Sequence, residues 1–193
     1  RYHINSISKI PIRIHVNGTR GKSSVVRLIA SGLREGQIKT LAKTTGSSPR
    51  FIDEDGDDHV IERFRPASIG EQIRMIARFA KDKPQAIVME CMAVQPQYQW
   101  VSEHKMLQSN YSVITNVRAD HLEEMGFSYT HIAKSLSNTI PFNQKLFTSE
   151  TNTASPLLEK AIENSSSIDI CKGEDLDQEY LKDFPFIEHP DNI

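Results

Sequence analysis

A glycine-rich turn near the start of the chain partly meets the pattern of a phosphate-binding loop, with Val16 where the usual spacing G-x-x-x-x-G-K-[ST] has its first glycine. Glycines let backbone N–H groups turn toward a phosphate, and the N-terminus of a helix adds partial positive charge. A lysine at this place reaches the terminal phosphates, and the hydroxyl after it binds Mg²⁺. The turn therefore predicts a nucleotide site, the alternative being a strand-to-helix turn with an accidental lysine. Its residues are Gly18, Thr19, Arg20, Gly21, Lys22, Ser23 and Ser24.

Glu90 is a second candidate because it ends the apolar run Ala86–Met89. Ligands of open α/β sheets bind at the carboxyl ends of the parallel strands, so a glutamate there is placed to hold a metal ion. The alternative is a surface glutamate at a strand end, which is an ordinary position for that residue. The phosphate loop in the same chain favours the metal.

The segment Lys43–Arg50 follows a predicted strand and carries several hydroxyls and one guanidinium. Such groups suit substrate carboxylates or phosphate oxygens, and a plain polar turn is the equal alternative. The candidate substrate residues are Thr45, Ser47, Ser48 and Arg50.

The two cysteines, Cys91 and Cys171, show no zinc spacing, and no histidine is close in sequence to activate Cys91, so both are expected to be structural.

Short apolar runs alternate with helical patterns along the chain, which predicts an α/β domain with a mainly parallel sheet. An acidic segment with a polar alternating continuation predicts a surface insertion over residues 53–65. The predicted strands are Ile12–Asn17, Ile38–Lys43, Ala86–Glu90, Tyr111–Asn116, Leu146–Thr148 and Ile168–Ile170. The predicted helices are Lys22–Glu35, Ile69–Lys81, Tyr98–Leu107, Tyr129–Ile140, Pro156–Glu163 and Leu176–Asp183.

Composition limits the classes of function. The chain has 193 residues, with 23 Lys and Arg against 25 Asp and Glu, a formal charge of -2. This balance lacks the basic excess of a protein that binds nucleic acid through phosphates, so no nucleic-acid partner is expected. No apolar run approaches the ~20 residues of a membrane-spanning helix. The length fits a single domain.

Two stretches together resemble the Mur ligase and folylpolyglutamate synthetase superfamily, whose members form amide bonds with ATP. The phosphate loop matches its G-T-x-G-K-[ST]-[ST] pattern, and Thr115–Gly126 resembles its N-[IV]-x-x-D-H-[LM]-[DE]-x-x-G signature. The resemblance implies a three-layer, P-loop NTPase-like fold over residues 1–193, the central domain of such ligases, with ATP and Mg²⁺ as cofactors. The nucleotide ligands it implies are Gly18, Thr19, Arg20, Gly21, Lys22, Ser23, Ser24 and Asn192.

The same resemblance implies a metal site on Ser23, Glu90 and His121, with Lys22 and Arg20 as the catalytic cations. From the residues alone, a histidine after a strand is more often a polar loop residue. Asp120 is interpreted as a helix cap, because Asp120 and Glu123 have capping-box spacing, or as a residue behind the metal ligands.

Further motifs narrow the resemblance to ligase subunits of poly-γ-glutamate synthases, of the CapB/PgsB type. These motifs are Arg20 within the loop, the K-T-T-G segment Lys43–Gly46 and the run Met89–Val94 followed by Pro96. The resemblance implies an ATP-dependent ligase that acts on glutamate and the growing poly-γ-glutamate chain through an acyl phosphate. It further implies membrane-protein partners, a place at the cytoplasmic face of the membrane through those partners or a missing N-terminal segment, and a possible homo-oligomer.

Several alternatives remain open at this stage. Within the ligases they are a folylpolyglutamate synthetase or a peptidoglycan-precursor ligase, and outside them a nucleotide-binding assembly subunit without catalysis. A P-loop kinase or GTPase is a further alternative, and the GTPase is disfavoured because the guanine-reading N/T-K-x-D motif is missing. Leu136 stands where relatives carry a carbamylated lysine, with Lys134 two residues early, so no such lysine is assigned. Relatives also carry a C-terminal domain for which 193 residues leave no room, so this chain alone is expected to be an incomplete enzyme.

Overall fold

A computed structural model describes residues 2–46, 48–63 and 67–171. They form one eight-stranded sheet with the order β4-β3-β2-β5-β1-β6-β7-β8. Strands β3 and β4 are antiparallel to their neighbours, and the other pairs are parallel. The strands are β1 Ile12–Asn17, β2 Thr40–Thr44, β3 Arg50–Ile52, β4 Asp58–Val60, β5 Ala86–Glu90, β6 Tyr111–Ile114, β7 Lys145–Thr148 and β8 Ser167–Ile170.

Helices cover both faces of the sheet, so the predicted three-layer α/β fold is confirmed. The α-helices are α1 Tyr2–Ile7, α2 Lys22–Glu35, α3 Gly70–Asp82, α4 Pro96–Val101, α5 Leu122–Met125, α6 Tyr129–Leu136 and α7 Ser155–Glu163. Helix α2 packs on one face against Ile14, Val16 and Val88. On the other face, α1 and α3 enclose one apolar cluster, and α6 and α7 enclose a second. None of the helices in these ranges combines the length and apolar character that crossing a bilayer requires.

The central strands and the first long helix have the predicted bounds. Strands β1 and β5 and helix α2 begin and end at the predicted residues. All five residues of β5 are buried because α2 packs on one face of this central strand and α3 on the other, which explains its continuous apolar run.

Other boundaries differ from the prediction. Strand β2 begins at Thr40 rather than Ile38, and β6 ends at Ile114 rather than Asn116. The residues after Ile114 leave the sheet because they bond to the glycine-rich turn instead. The helix predicted over Tyr98–Leu107 begins at Pro96 and continues from Ser102 to Leu107 as a π-helical turn.

The helix predicted to reach Ile140 ends at Leu136 and is followed by a 3₁₀ turn, Ser137–Thr139. Residues 50–60 form the β3–β4 hairpin at one edge of the sheet. The predicted helix Leu176–Asp183 lies outside the described residues.

Candidate functional site

The glycine-rich turn connects the end of β1 to the first turn of α2, as its pattern requires. Gly18 has φ 130° and Gly21 has φ 78°, a region that favours glycine. A Cβ atom on Gly18 would overlap the Thr115 hydroxyl, so a side chain is excluded there by a neighbour as well as by the backbone. The turn therefore depends on the loop that follows β6.

Asn116 in that loop holds the tip of the turn through its side-chain amide. Its Oδ1 accepts hydrogen bonds from the Thr19 hydroxyl at 2.7 Å and the Arg20 N–H at 3.1 Å. Its Nδ2 donates to the Arg20 carbonyl oxygen at 3.1 Å, and Thr115 Oγ1 donates to the same oxygen at 2.6 Å. Asn116 was predicted only as part of the signature in Thr115–Gly126, because its partner Arg20 is 96 positions away.

The N–H groups best placed for a phosphate are those of the first turn of α2. The Val25 N–H bonds back to the Gly21 carbonyl, so the amides of Lys22, Ser23 and Ser24 precede the first intrahelical bond. The Lys22 ammonium lies across the turn and donates to the carbonyls of Gly18 at 2.8 Å and Thr19 at 3.3 Å. An anion at this helix start meets free amides and a lysine together.

Glu90 and Ser23 are brought together. Glu90 is 3% exposed, and its Oε2 accepts hydrogen bonds from the Ser23 hydroxyl at 2.7 Å and the Thr45 N–H at 2.8 Å. Gln72 donates to the Glu90 carbonyl at 3.1 Å and fixes the backbone behind it. The carboxylate therefore faces the first turn of α2.

These oxygens fit a Mg²⁺ ion. Mg²⁺ binds hard oxygen ligands and is usually held by one or two carboxylates together with waters and substrate phosphates. Within the described ranges no group of three or more His, Cys, Asp or Glu side chains is arranged to hold a metal. A metal ion at Ser23 and Glu90 thus requires phosphate and water oxygens to complete its shell.

His121 and Asp120 occupy the loop before α5. His121 is half exposed, has φ 44° and directly precedes the helix, which no side chain caps. The interpretation of Asp120 as a helix cap is therefore wrong. Asp120 instead accepts a hydrogen bond from the His121 N–H at 3.2 Å and lies 3.7 Å from the exposed Arg20 guanidinium.

A cleft of about 260 Å³ gathers six of the predicted site residues at the carboxyl edge of the sheet. The lining does not include Arg20, Gly21, Ser23, Ser24, Ser48 or Arg50. Ser23 nevertheless donates a hydrogen bond to Glu90, which is part of the lining. Ser47 and Asn192 lie outside the described residues. The predicted site residues in its lining are Gly18, Thr19, Lys22, Thr45, Glu90 and His121.

A buried ionic cluster beside the cleft was missed. Glu71, in the first turn of α3, accepts hydrogen bonds from Arg63 Nε at 2.7 Å and Nη2 at 3.0 Å, and lies 2.9 Å from the Lys43 ammonium. Burial raises the pKa of Glu71, but the bonds to Arg63 and Lys43 outweigh it and lower that pKa to about 2. Burial also lowers the pKa of Lys43. The available signal was a lysine within a predicted strand of a parallel sheet.

His15 forms a second buried pair that the sequence did not reveal. Its Nδ1 lies 2.8 Å from Glu103 Oε2, and both side chains are 1% exposed. Burial lowers the pKa of His15, but the neighbouring Cys91 thiol and the Glu103 carboxylate raise it to about 10. A histidine from β1 therefore accompanies Cys91 in space, although none is close in sequence.

Comparison with known proteins gives a consistent pattern. Residues 16–180 match the family model of the Mur ligase middle domain. The chain is 38% identical to the capsule biosynthesis protein CapB of Bacillus anthracis, over all of this chain and 42% of that protein. It is 36% identical to the PGA synthase CapB of Bacillus subtilis, over all of this chain and 49% of that protein. The chain thus spans about half the length of these relatives or less.

Solved structures show the same fold. Escherichia coli FolC in complex with ADP aligns with a TM-score of 0.68 at 15% identity, covering 87% of this chain and 44% of that one. A complex of FPGS with AMPPCP and folate aligns with a TM-score of 0.63 at 18% identity, covering 87% of this chain and 48% of that one.

Proposed function

This chain belongs to the Mur ligase family through its middle domain, and we propose that it is the ATP-binding domain of a ligase that extends poly-γ-glutamate. The proposed binding of ATP and Mg²⁺ is supported by the hydrogen bond between Ser23 and Glu90, which lies beside Lys22. The glutamate part is supported by the two CapB relatives, whose names refer to capsule biosynthesis and to a PGA synthase.

The proposed reaction has two steps. A substrate carboxylate oxygen attacks the γ-phosphorus of ATP, the bond to the bridging oxygen breaks, and ADP leaves. The amine of the next glutamate then attacks the acyl phosphate, loses a proton, and inorganic phosphate leaves as the amide forms. Both steps develop negative charge on phosphate oxygens, so the protein acts mainly by orientation and electrostatic stabilisation.

Residues of the cleft and of the adjoining glycine-rich turn and helix start each have a role in this reaction. The amides of Lys22, Ser23 and Ser24 bind phosphate oxygens, and the Lys22 ammonium exchanges its carbonyl contacts for the terminal phosphates. Ser23 and Glu90 hold Mg²⁺, which offsets phosphate charge when it is bound. His121 lines the same cleft and is proposed as a further metal ligand. Arg20, exposed at the tip of the turn, adds a second cation.

We also propose membrane-protein partners at the cytoplasmic face of a membrane. ATP and glutamate are available there, and a polymer destined for a capsule has to leave the cell. Assembly into homo-oligomers belongs to the same proposal. Copurification of the complete protein with a membrane fraction, and its loss after detergent treatment, tests the association.

The decisive experiment measures chemistry in the complete protein. Incubation with MgATP and glutamate in the presence of hydroxylamine should trap the acyl phosphate as a γ-hydroxamate, with equal release of phosphate. Lys22→Ala should remove both products, whereas Lys81→Ala, at an exposed site on α3, should retain them. ATP binding without hydroxamate or phosphate would indicate a non-catalytic subunit, and product formation only with a folate substrate would indicate a folylpolyglutamate synthetase.

A further inference from the structure

The cleft contains a cation that the phosphate-binding machinery does not use. Arg63 lines the cleft together with Lys22 and Glu90, but its hydrogen bonds go to Glu71 rather than to the glycine-rich turn. It enters the cleft from the segment between β4 and α3, a different part of the fold.

Glu71 fixes the orientation of Arg63. Two parallel hydrogen bonds, at 2.7 and 3.0 Å, join the guanidinium edge to the carboxylate, and this fork holds the plane of the guanidinium. Glu71 is itself held by Lys43, whose side chain is completely buried. Within the described ranges Arg63 Nη1 has no hydrogen-bond partner, so part of the fork remains for another acceptor.

The cluster has more positive charge than it needs to stabilise the fold. Lys43 alone balances the charge of Glu71 and joins β2 to α3. Arg63 adds a second cation on the same carboxylate, so the three side chains carry a net charge of +1 with Lys43 protonated. That surplus lies at the wall of a cleft whose other ionic residues include Lys22, which faces the phosphate site, His121, and the carboxylates of Glu90 and Asp120. An anionic substrate entering such a cleft needs a fixed cation to offset their repulsion.

We propose that Arg63 binds a substrate carboxylate, with Glu71 and Lys43 as positioning residues. This inference rests on the proposed function, because every unit of a γ-linked glutamyl chain retains a free α-carboxylate. The phosphates have their own ligands in Lys22 and the first turn of α2, whereas a planar carboxylate matches the two-pronged edge of a guanidinium. Arg63 therefore selects α-carboxylate-bearing glutamyl chains and holds their end in the cleft.

The test separates carboxylate binding from nucleotide binding. In the complete protein, loaded with Mg²⁺ and a non-hydrolysable ATP analogue, calorimetry measures the affinity for a short γ-glutamyl oligomer and for the same oligomer with its α-carboxylates converted to amides. Arg63→Gln should weaken binding of the oligomer about tenfold to a hundredfold, and the amide form should bind both proteins equally weakly. Arg74→Gln removes the same charge from an exposed site on α3 and should leave both affinities unchanged.

Two further variants distinguish a loss of oligomer binding from a loss of folding. Arg63→Lys keeps the ion pair with Glu71 but not the fork, and should weaken oligomer binding by an intermediate amount. Glu71→Gln should do the same by releasing the guanidinium. Oligomer affinity that is equal in Arg63→Lys, Arg63→Gln and the unaltered protein overturns the inference, and so does a loss confined to the nucleotide. If the unaltered protein fails to bind the ATP analogue, the proposed function fails instead.

Discussion

Ser23 donates its hydroxyl hydrogen to Glu90 Oε2 across 2.7 Å, joining the first turn of α2 to the end of β5 over a separation of 67 positions. The same oxygen accepts the Thr45 N–H from the end of β2. The start of α2, the end of β5 and the residue after β2 thus meet at one carboxylate oxygen. This convergence is what the proposed Mg²⁺ ion would use, since it places a hydroxyl and a carboxylate beside the start of a helix.

The first prediction concerns metal dependence. Glu90→Gln should reduce the gain in ATP affinity that Mg²⁺ gives, because an amide oxygen is a weaker ligand for a hard cation than a carboxylate. Calorimetry with Mg²⁺ and with chelator measures that gain. Glu123→Gln, at an exposed carboxylate on α5, is the control and should keep it. Ser23→Ala combined with Glu90→Gln should lose little more than Glu90→Gln alone, since both residues serve one ion; fully additive losses would argue against a shared metal.

The second prediction concerns Lys22. Lys22→Ala should weaken ATP binding about tenfold to a hundredfold, the usual effect of losing a charged hydrogen bond to a ligand. The fold should survive, because within the described part of the chain the hydrogen bonds of this ammonium go to carbonyls of the turn. Thermal unfolding and calorimetry check the two statements separately, with Lys81→Ala as the control of equal charge. An unaltered nucleotide affinity in Lys22→Ala would contradict the assignment of the phosphate loop.

Local pattern sufficed for the parts of the fold whose environment is uniform. Strand β5 is buried along its length and its apolar run shows it, and the glycine-rich turn carries its function in adjacent residues. Boundaries were less accurate where residues change partner. The predicted strand extends through Thr115 and Asn116, yet these two residues leave the sheet because their side chains bond to Arg20.

The parts of the site that sequence did not show depend on pairing between distant residues. Asn116 is 96 positions from Arg20, and His15 is 88 positions from Glu103. No local periodicity encodes such pairs, because each residue taken alone has an ordinary role at its position. Lys43 is the exception, since a lysine within a buried strand requires a partner. The amino-acid sequence alone does not identify Glu71 as that partner.

The third prediction compares two glycines. Gly18→Ala should destabilise the fold by about 1–3 kcal/mol and abolish ATP binding, because φ 130° is unfavourable for alanine and its Cβ overlaps the Thr115 hydroxyl. Gly32, inside α2, has no neighbouring heavy atom within 4 Å of an added Cβ, so Gly32→Ala should stabilise by about 0.5–1 kcal/mol. Denaturant unfolding gives both values. Equal unfolding free energies for Gly18→Ala and Gly32→Ala would refute this prediction.

The last prediction concerns pH. The pKa of His15 is raised from its usual 6.5 to about 10 in the fold by Cys91 and Glu103, against the lowering effect of burial. A raised pKa means that the folded state holds a proton that the unfolded chain releases above pH 6.5. The stabilisation is therefore complete below pH 6.5 and is lost as the pH rises toward 10.

The difference in unfolding free energy between the unaltered protein and His15→Gln should shrink over that window, by at most about 1.4 kcal/mol per pH unit. Urea unfolding at pH 6, 8 and 10 measures it, and comparison with His15→Gln cancels the titration of groups that do not interact with His15. Glu103→Gln should reduce the same pH dependence by removing the carboxylate partner, and a difference that stays constant from pH 6 to 10 would show that His15 is not held protonated.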